Sequence, residues 1–268
     1  MTFTTNSGTR IFWTEEGAGE PILLIMGHRW THEMWHEISP TLSETHRVIM
    51  FDNRGVGQSD KPAGPYTAAQ MACDAIAVLD AAGVQRAHVY GASMGGQIAQ
   101  EVALLAPERV ISLILGCTAA GAPDKFPRWQ QMVMWPSYWA NPSEASLAKM
   151  VKSKIYGPAA TPEGIASDMA VFGRQRNDRR GLIAQAHAVF DFDSLDRVGR
   201  ITAPTLVLHG DHDKNVPLAW GRELADAIPN ARIEVLPGAG HLYMTGRSKE
   251  ANEAVLSFVA AHSSTAQQ

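Results

Sequence analysis

The chain has 268 residues, 45% apolar and 19% charged, with a formal net charge of −4. That composition excludes a disordered chain. A mild negative balance with scattered charges also argues against a nucleic-acid partner, which needs clustered Lys and Arg. Area scaling for this length hides about three quarters of the unfolded surface, which suits one large core, or a core plus a small appended subdomain. The two cysteines, Cys73 and Cys117, are too few for a disulfide framework or a thiolate metal cage, and a reduced, cytoplasmic setting fits them. The longest purely apolar run near the N-terminus, residues 22–26, is far too short to span a bilayer. Residues 1–10 carry no apolar signal-peptide segment, so no membrane partner is expected.

In chain order, residues 2–16 alternate and carry turn residues at 6–8, which predicts an antiparallel hairpin on a sheet edge. Residues 22–26, 48–51, 87–90, 111–115, 205–208 and 233–236 read as strands. Several are apolar on consecutive positions, the pattern of a parallel sheet covered on both faces. Thr67 and Gln70 form a capping box, Met71, Ala75, Val78, Leu79 and Ala82 recur at helical spacing, and Gly83 ends the run. Ile98, Ala99, Val102, Ala103 and Ala106 make a second stripe closed by Pro107. Leu224 with Ile228, and Val255 with Phe258 and Val259, mark two more. The alternation predicts a mainly parallel α/β sheet with right-handed crossovers. Between about 121 and 200 the rhythm breaks into proline-interrupted, helix-compatible sequence holding Trp129, Trp135 and Trp139. The expectation is a helical lid, 121–200, over a core made of 1–120 and 201–268. Polar residues 262–268 are expected to fray.

Gly91-Ala92-Ser93-Met94-Gly95 is a G-x-S-x-G pentapeptide set directly between a predicted strand and a predicted helix. A sharp strand-to-helix turn needs small residues two positions either side of the serine, and it exposes the serine at a helix N-terminus that favours developing negative charge. A nucleophilic serine needs a base, and the base needs an orienting acid. Asp211 and Asp213 follow the strand at 205–208, and His241 follows the strand at 233–236. Ser93, the acid and His241 therefore all lie just beyond carboxyl ends of strands, the edge where open α/β sheets bind ligands.

These residues, with Gly27 after a strand, the run Phe51-Asp52-Asn53-Arg54-Gly55-Val56-Gly57-Gln58-Ser59, Pro204 to Asp213, and Gly238-Ala239-Gly240-His241, give a chain that resembles the α/β-hydrolase fold family along nearly its whole length. The resemblance implies a mainly parallel eight-stranded sheet flanked by helices, with a helical cap inserted before the acid-bearing strand. It implies a triad of Ser93, Asp213 and His241, with Asp213 preferred over Asp211 because the family pattern Gly-x-x-Asp counts from Gly210. It also implies oxyanion donors at the backbone N–H groups of His28 and Met94. The family usually carries His-Gly where this chain has Met26-Gly27, a departure that bears on how the oxyanion loop is pinned. Arg29 and Trp30 would then lie near the acyl pocket.

Three other patterns compete for attention. His32-Glu33-Met34-Trp35-His36 matches the zincin H-E-x-x-H, but a catalytic zinc needs a third protein ligand, and in the resemblance this stretch is the first helix after the oxyanion loop, with Trp35 facing the core. Asp211, Asp213 and Asn215 start like a calcium loop, yet Val216 stands where its glycine is required. Gly55-x-Gly57 lacks the third glycine of a dinucleotide fingerprint. Trp129, Trp135 and Trp139 either line a substrate pocket or glue the lid to the sheet. Met132, Met134, Phe172 and His187 either line a pocket or, the commoner case, pack, and Cys117 is expected to sit in the core. The resulting expectation is a hydrolase for carboxylic esters of small to medium, largely apolar molecules, with no metal and no organic cofactor. A lactonase or a C–C bond hydrolase would keep the same triad, and a weakly catalytic ligand receptor is the alternative of a different class.

Overall fold

The computed structural model describes residues 2–121, 154–175 and 177–263. Among them are eight strands in a single sheet: β1 (Thr2–Asn6), β2 (Thr9–Glu16), β3 (Glu20–Ile25), β4 (His46–Phe51), β5 (Ala87–Ala92), β6 (Val110–Gly116), β7 (Thr205–Gly210) and β8 (Ala231–Leu236). Their order is β1-β2-β4-β3-β5-β6-β7-β8. Only β2 runs against the rest. Each predicted strand is present: five are longer by two residues, and β3 begins two residues earlier and ends one earlier, at Ile25. The expected edge hairpin is β1–β2: Asn6 pairs with Thr9 across Ser7 (φ 48°) and Gly8 (φ 78°), both left-handed. Such two-residue turns match the right-handed twist of the strands they join.

Helices cover both faces. In chain order they are α1 (Ser39–Ser43), α2 (Ala68–Ala81), α3 (Met94–Leu105), α4 (Pro162–Arg174), α5 (Arg179–Phe190), α6 (Leu218–Ala227) and α7 (Met244–Ala261), the last kinked at Thr245, Gly246 and Arg247. The Thr67 hydroxyl accepts from the Gln70 N–H at 3.1 Å, so the predicted cap starts α2. Met71, Val78, Ile98, Val102, Ala184, Ala188 and Leu224 form one apolar layer against the sheet. Leu42, Trp35, Val255, Phe258 and Val259 form the layer on the other face. All positions of β5 and β6 are buried, and the polar pair within them, His88 and Ser112, bonds across the two strands at 2.7 Å.

Within the stretch expected to be a lid, the described residues form α4 and α5. Gly121 and Asp193 bridge its two ends. Trp129, Met132, Met134, Trp135 and Trp139 lie outside the described residues. The helix expected at 32–36 is instead a single 3-10 turn, His32–Trp35. Trp35 is nonetheless fully buried, its ring 4.9 Å from Tyr90. After β3 the chain places β4 on one side and β5 on the other. That reversal opens a crevice at the carboxyl ends of β3 and β5.

A buried ion pair locks the loop after β4 in place. Arg54 bonds Asp74 of α2 through Nε at 2.5 Å and Nη2 at 2.7 Å, with both side chains at most 2% exposed. Asn6 Nδ2 adds a third donor to Asp74 at 2.7 Å. Removing one partner of such a pair strands a buried charge. Arg54→Met is expected to cost about 3–5 kcal/mol and to lower Tm by roughly 10 °C. Thermal unfolding followed by circular dichroism checks this, and an unchanged Tm would refute it.

Candidate active site

Ser93 sits between the end of β5 and the first residue of α3 with φ 55° and ψ −121°, a left-handed backbone that L-residues avoid. Crowding explains its small neighbours. A Cβ on Gly91 would lie 2.1 Å from the Gly95 carbonyl oxygen, and one on Gly95 would lie 1.9 Å from the Ile25 carbonyl oxygen. β6 braces the turn: the Ser93 N–H donates to Gly116 O at 2.8 Å, and Thr118 Oγ1 donates to Ser93 O at 2.8 Å.

The structure brings Ser93, His241 and Asp213 together. His241 Nε2 is 3.0 Å from Ser93 Oγ, and its Nδ1 is 2.8 Å from Asp213 Oδ2. With the carboxylate accepting from Nδ1–H, Nε2 is left to accept from the serine hydroxyl. Asp213 Oδ1 accepts from the N–H groups of Asn215 at 2.8 Å and Val216 at 2.9 Å, so the loop after β7 closes around a buried carboxylate. His209, buried in β7 with its pKa lowered by that burial, donates from Nε2 to Val216 O at 2.8 Å and steadies the same loop. Asp211 faces elsewhere. Its Oδ1 accepts from the Gly238 N–H and from His212, each at 2.7 Å, and joins the β7 and β8 loops near the surface.

On the opposite side of Ser93, a Cβ on Gly27 would lie 3.1 Å from Ser93 Cβ, so the loop after β3 touches the serine. His28 follows Gly27, and Met94 follows Ser93, so their backbones border the serine from two sides. The loop is pinned mostly by residues that no sequence pattern marks. Asn53 Nδ2 donates to Met26 O at 2.8 Å. Gln185 of α5, fully buried, accepts the Arg29 N–H at 2.9 Å and donates to Arg54 O at 2.8 Å. Asn177 Nδ2 donates to Arg29 O at 2.7 Å, and His28 Nε2 donates to Leu182 O at 3.0 Å. These contacts hold the left-handed Arg29 (φ 70°) where Met26 replaces the family's usual histidine. Asn53 lay within the quoted Asp-Asn-Arg-Gly run. Gln185 and Asn177 gave no signal, being 156 and 148 positions from Arg29.

The side chains of Arg29 and Trp30 both meet Phe172 of α4. The guanidinium lies 5.5 Å over that ring, and the indole packs edge-on at 5.4 Å. Phe172 therefore packs, as expected. His187 turns to Asp191 Oδ2 at 3.2 Å, on the outer side of α5. The two zincin-spaced histidines diverge: His32 Nδ1 bonds Asp52 Oδ1 at 2.7 Å, whereas His36 Nε2 bonds Asp168 Oδ1 at 2.9 Å. In a 3-10 turn it is i and i+3 that align, so positions i and i+4 do not share one face. Among the described residues, one group has metal-ligand chemistry, Cys117 with Asp213 and His241, whose donor atoms lie within 4.8 Å of one another. There Asp213 and His241 already bond each other, and burial pushes the Cys117 thiol well up, which keeps it protonated.

A strained serine on a strand-to-helix elbow, linked through a histidine to a buried carboxylate at the carboxyl edge of a mostly parallel sheet, is the constellation of a hydrolytic α/β enzyme. The family model for the alpha/beta hydrolase fold matches residues 20–244, and the chain belongs to that family. A putative carbamate hydrolase of Azorhizobium caulinodans is 29% identical over 277 residues, covering 96% of this chain and 98% of that protein. A hydrolase from Pseudomonas aeruginosa superposes with a TM-score of 0.86 at 31% identity, covering 97% and 98% of the two chains. The enol-lactonase of Burkholderia xenovorans LB400 superposes with a TM-score of 0.84 at 27% identity, covering 97% and 100%. The named bonds differ, so the family sets the class of chemistry and leaves the substrate to the site. No described helix is long and apolar enough to cross a membrane.

His28 gives the site a pH signature. Burial first, and then the positive Arg29, push its pKa from 6.5 down to about 4. Below 6.5 an unfolded chain takes up a proton on this residue that the folded chain refuses until about 4, so stability falls with pH across that window. The slope from one such group is about 1.4 kcal/mol per pH unit. His28→Gln, which keeps a donor for Leu182 O, is expected to flatten the stability–pH curve by that amount. Urea unfolding at a series of pH values measures it, and an unchanged slope would count against the assignment.

Proposed function

We propose that the protein is a serine hydrolase that cleaves carboxylic esters of small to medium, largely apolar molecules. The observation that carries this reading is the hydrogen-bonded chain from Ser93 Oγ through His241 to Asp213, at 3.0 and 2.8 Å. As Ser93 Oγ attacks the ester carbonyl carbon, its proton passes to His241 Nε2, and Asp213 steadies the imidazolium that forms. The N–H groups of His28 and Met94 stabilise the oxyanion, each such donor being worth about 3–4 kcal/mol. The intermediate collapses, the ester C–O bond breaks, and the alcohol leaves with the proton from His241. A water molecule then attacks the acyl-enzyme by the same route, releasing the acid and restoring Ser93. A lactone, the substrate class named for the Burkholderia relative, opens by the same steps with its alcohol still tethered to the acid.

A panel of p-nitrophenyl esters and simple lactones, with a serine-directed phosphonate, tests the reading. Ser93→Ala is expected to lose both turnover and labelling while keeping its Tm, and retained turnover would overturn it. Asp213→Asn is expected to lower kcat by about four orders of magnitude, with Asp211→Asn affected far less. The reverse order would move the acid to Asp211.

A further inference from the structure

A second buried polar cluster stands behind the loop that carries His241. Asp168 of α4 is 2% exposed, and its carboxylate collects hydrogen bonds from three separate segments. His36 donates to Oδ1 at 2.9 Å, the Tyr156 hydroxyl donates to Oδ2 at 3.0 Å, and the Thr245 hydroxyl also donates to Oδ2. A carboxylate removed from water is costly unless its oxygens are satisfied in this way. The bond to Asp168 in turn raises the pKa of His36.

Thr245 lies four positions beyond His241, at the kink in α7. The segment between them is held from the same side by backbone bonds. The Leu242 N–H donates to Ile155 O at 3.1 Å, and the Ala159 N–H donates to Gly238 O at 2.9 Å. The approach is close: a Cβ on Gly240 would stand 2.4 Å from Gly157 N, and one on Gly246 2.1 Å from Ala159 O. Residues 238–245 are thus gripped by 155–160 and by α4, while Asp213 holds His241 from the far side.

We propose that Asp168 is a positioning residue for hydrolysis: through Thr245 it fixes the loop that carries His241, so the inserted helices set the base's geometry as well as covering the sheet. The inference rests on the hydrolase reading of Ser93 and His241. Its physical basis is that His241 must keep two hydrogen bonds at once. A misplacement of about 1 Å, even one caused far from the chemistry, can cost up to about a hundredfold in rate.

The deciding variants are Thr245→Val, which removes the hydroxyl and keeps the shape, Thr245→Ser, which restores the hydroxyl, and Asp168→Leu, which removes the acceptor. Turnover is measured per phosphonate-titrated site, so unfolded protein does not count, and amide exchange is followed across 238–246. Thr245→Val is expected to lower kcat several-fold with KM little changed, and Asp168→Leu about tenfold or more. Exchange at Leu242 and Thr245 should quicken in both, with the central strands unchanged, and Thr245→Ser should keep the parent values. Parent-like kcat and exchange in Thr245→Val overturn the proposal, as does equal impairment of the serine and valine variants. If the parent cleaves no ester or lactone, the hydrolase reading fails by itself, and the exchange data still decide whether Asp168 grips the loop.

Discussion

The constraint on which this structure depends is the contact between the start of α3 and the end of β3. The Ile25 carbonyl oxygen occupies the space where a side chain on residue 95 would begin, 1.9 Å from an ideal Cβ. Only glycine lets the helix come so close. That proximity forces the tight turn at Ser93, leaves the serine in a left-handed backbone, and brings Gly27 against it. The reversal of strand order between β4 and β5 puts this contact at an open crevice rather than under a helix. The Ser93 turn and the loop after β3 are therefore two sides of one packing decision.

The remaining parts of the site are held by polar groups rather than by apolar packing. Asp213 is satisfied by two backbone N–H groups and by His241, and the loop around it by His209. The loop after β3 is tied through Asn53, Asn177 and Gln185. The histidine loop rests on the segment ending at Asp168. Directional bonds suit this task because they fix where a loop lies, whereas apolar contact mainly fixes that it is buried. Two of these three anchors come from the inserted region, so α4 and α5 are structural parts of the site whatever else they cover.

Much of this was legible in the amino-acid order. Consecutive apolar residues at 22–26 and 48–51 mark strands that a covered parallel sheet buries on both faces. Gly91, Ser93 and Gly95 announce their turn because the crowding is local, spanning five residues. The two neighbouring aspartates part company in the fold, Asp213 bonding His241 and Asp211 bonding Gly238 and His212. The zincin-like spacing misled on local structure only. The histidines do occupy a turn that follows the loop after β3, but a 3-10 one, and each is drawn to its own carboxylate.

By itself, the sequence determined what short-range physics can dictate: the strand and helix periods, the caps, the elbow, and the order serine, acid, histidine that belongs to the alpha/beta hydrolase fold. Only the tertiary structure decided which distant polar side chains hold the loops in register. Gln185 meets Arg29 across 156 positions, and Asp168 meets His36 across 132. A lone glutamine or aspartate on a helix looks the same in sequence whether it faces water or a buried donor. Its role is set by which segment the fold brings opposite it, and that information is in the packing of the whole chain.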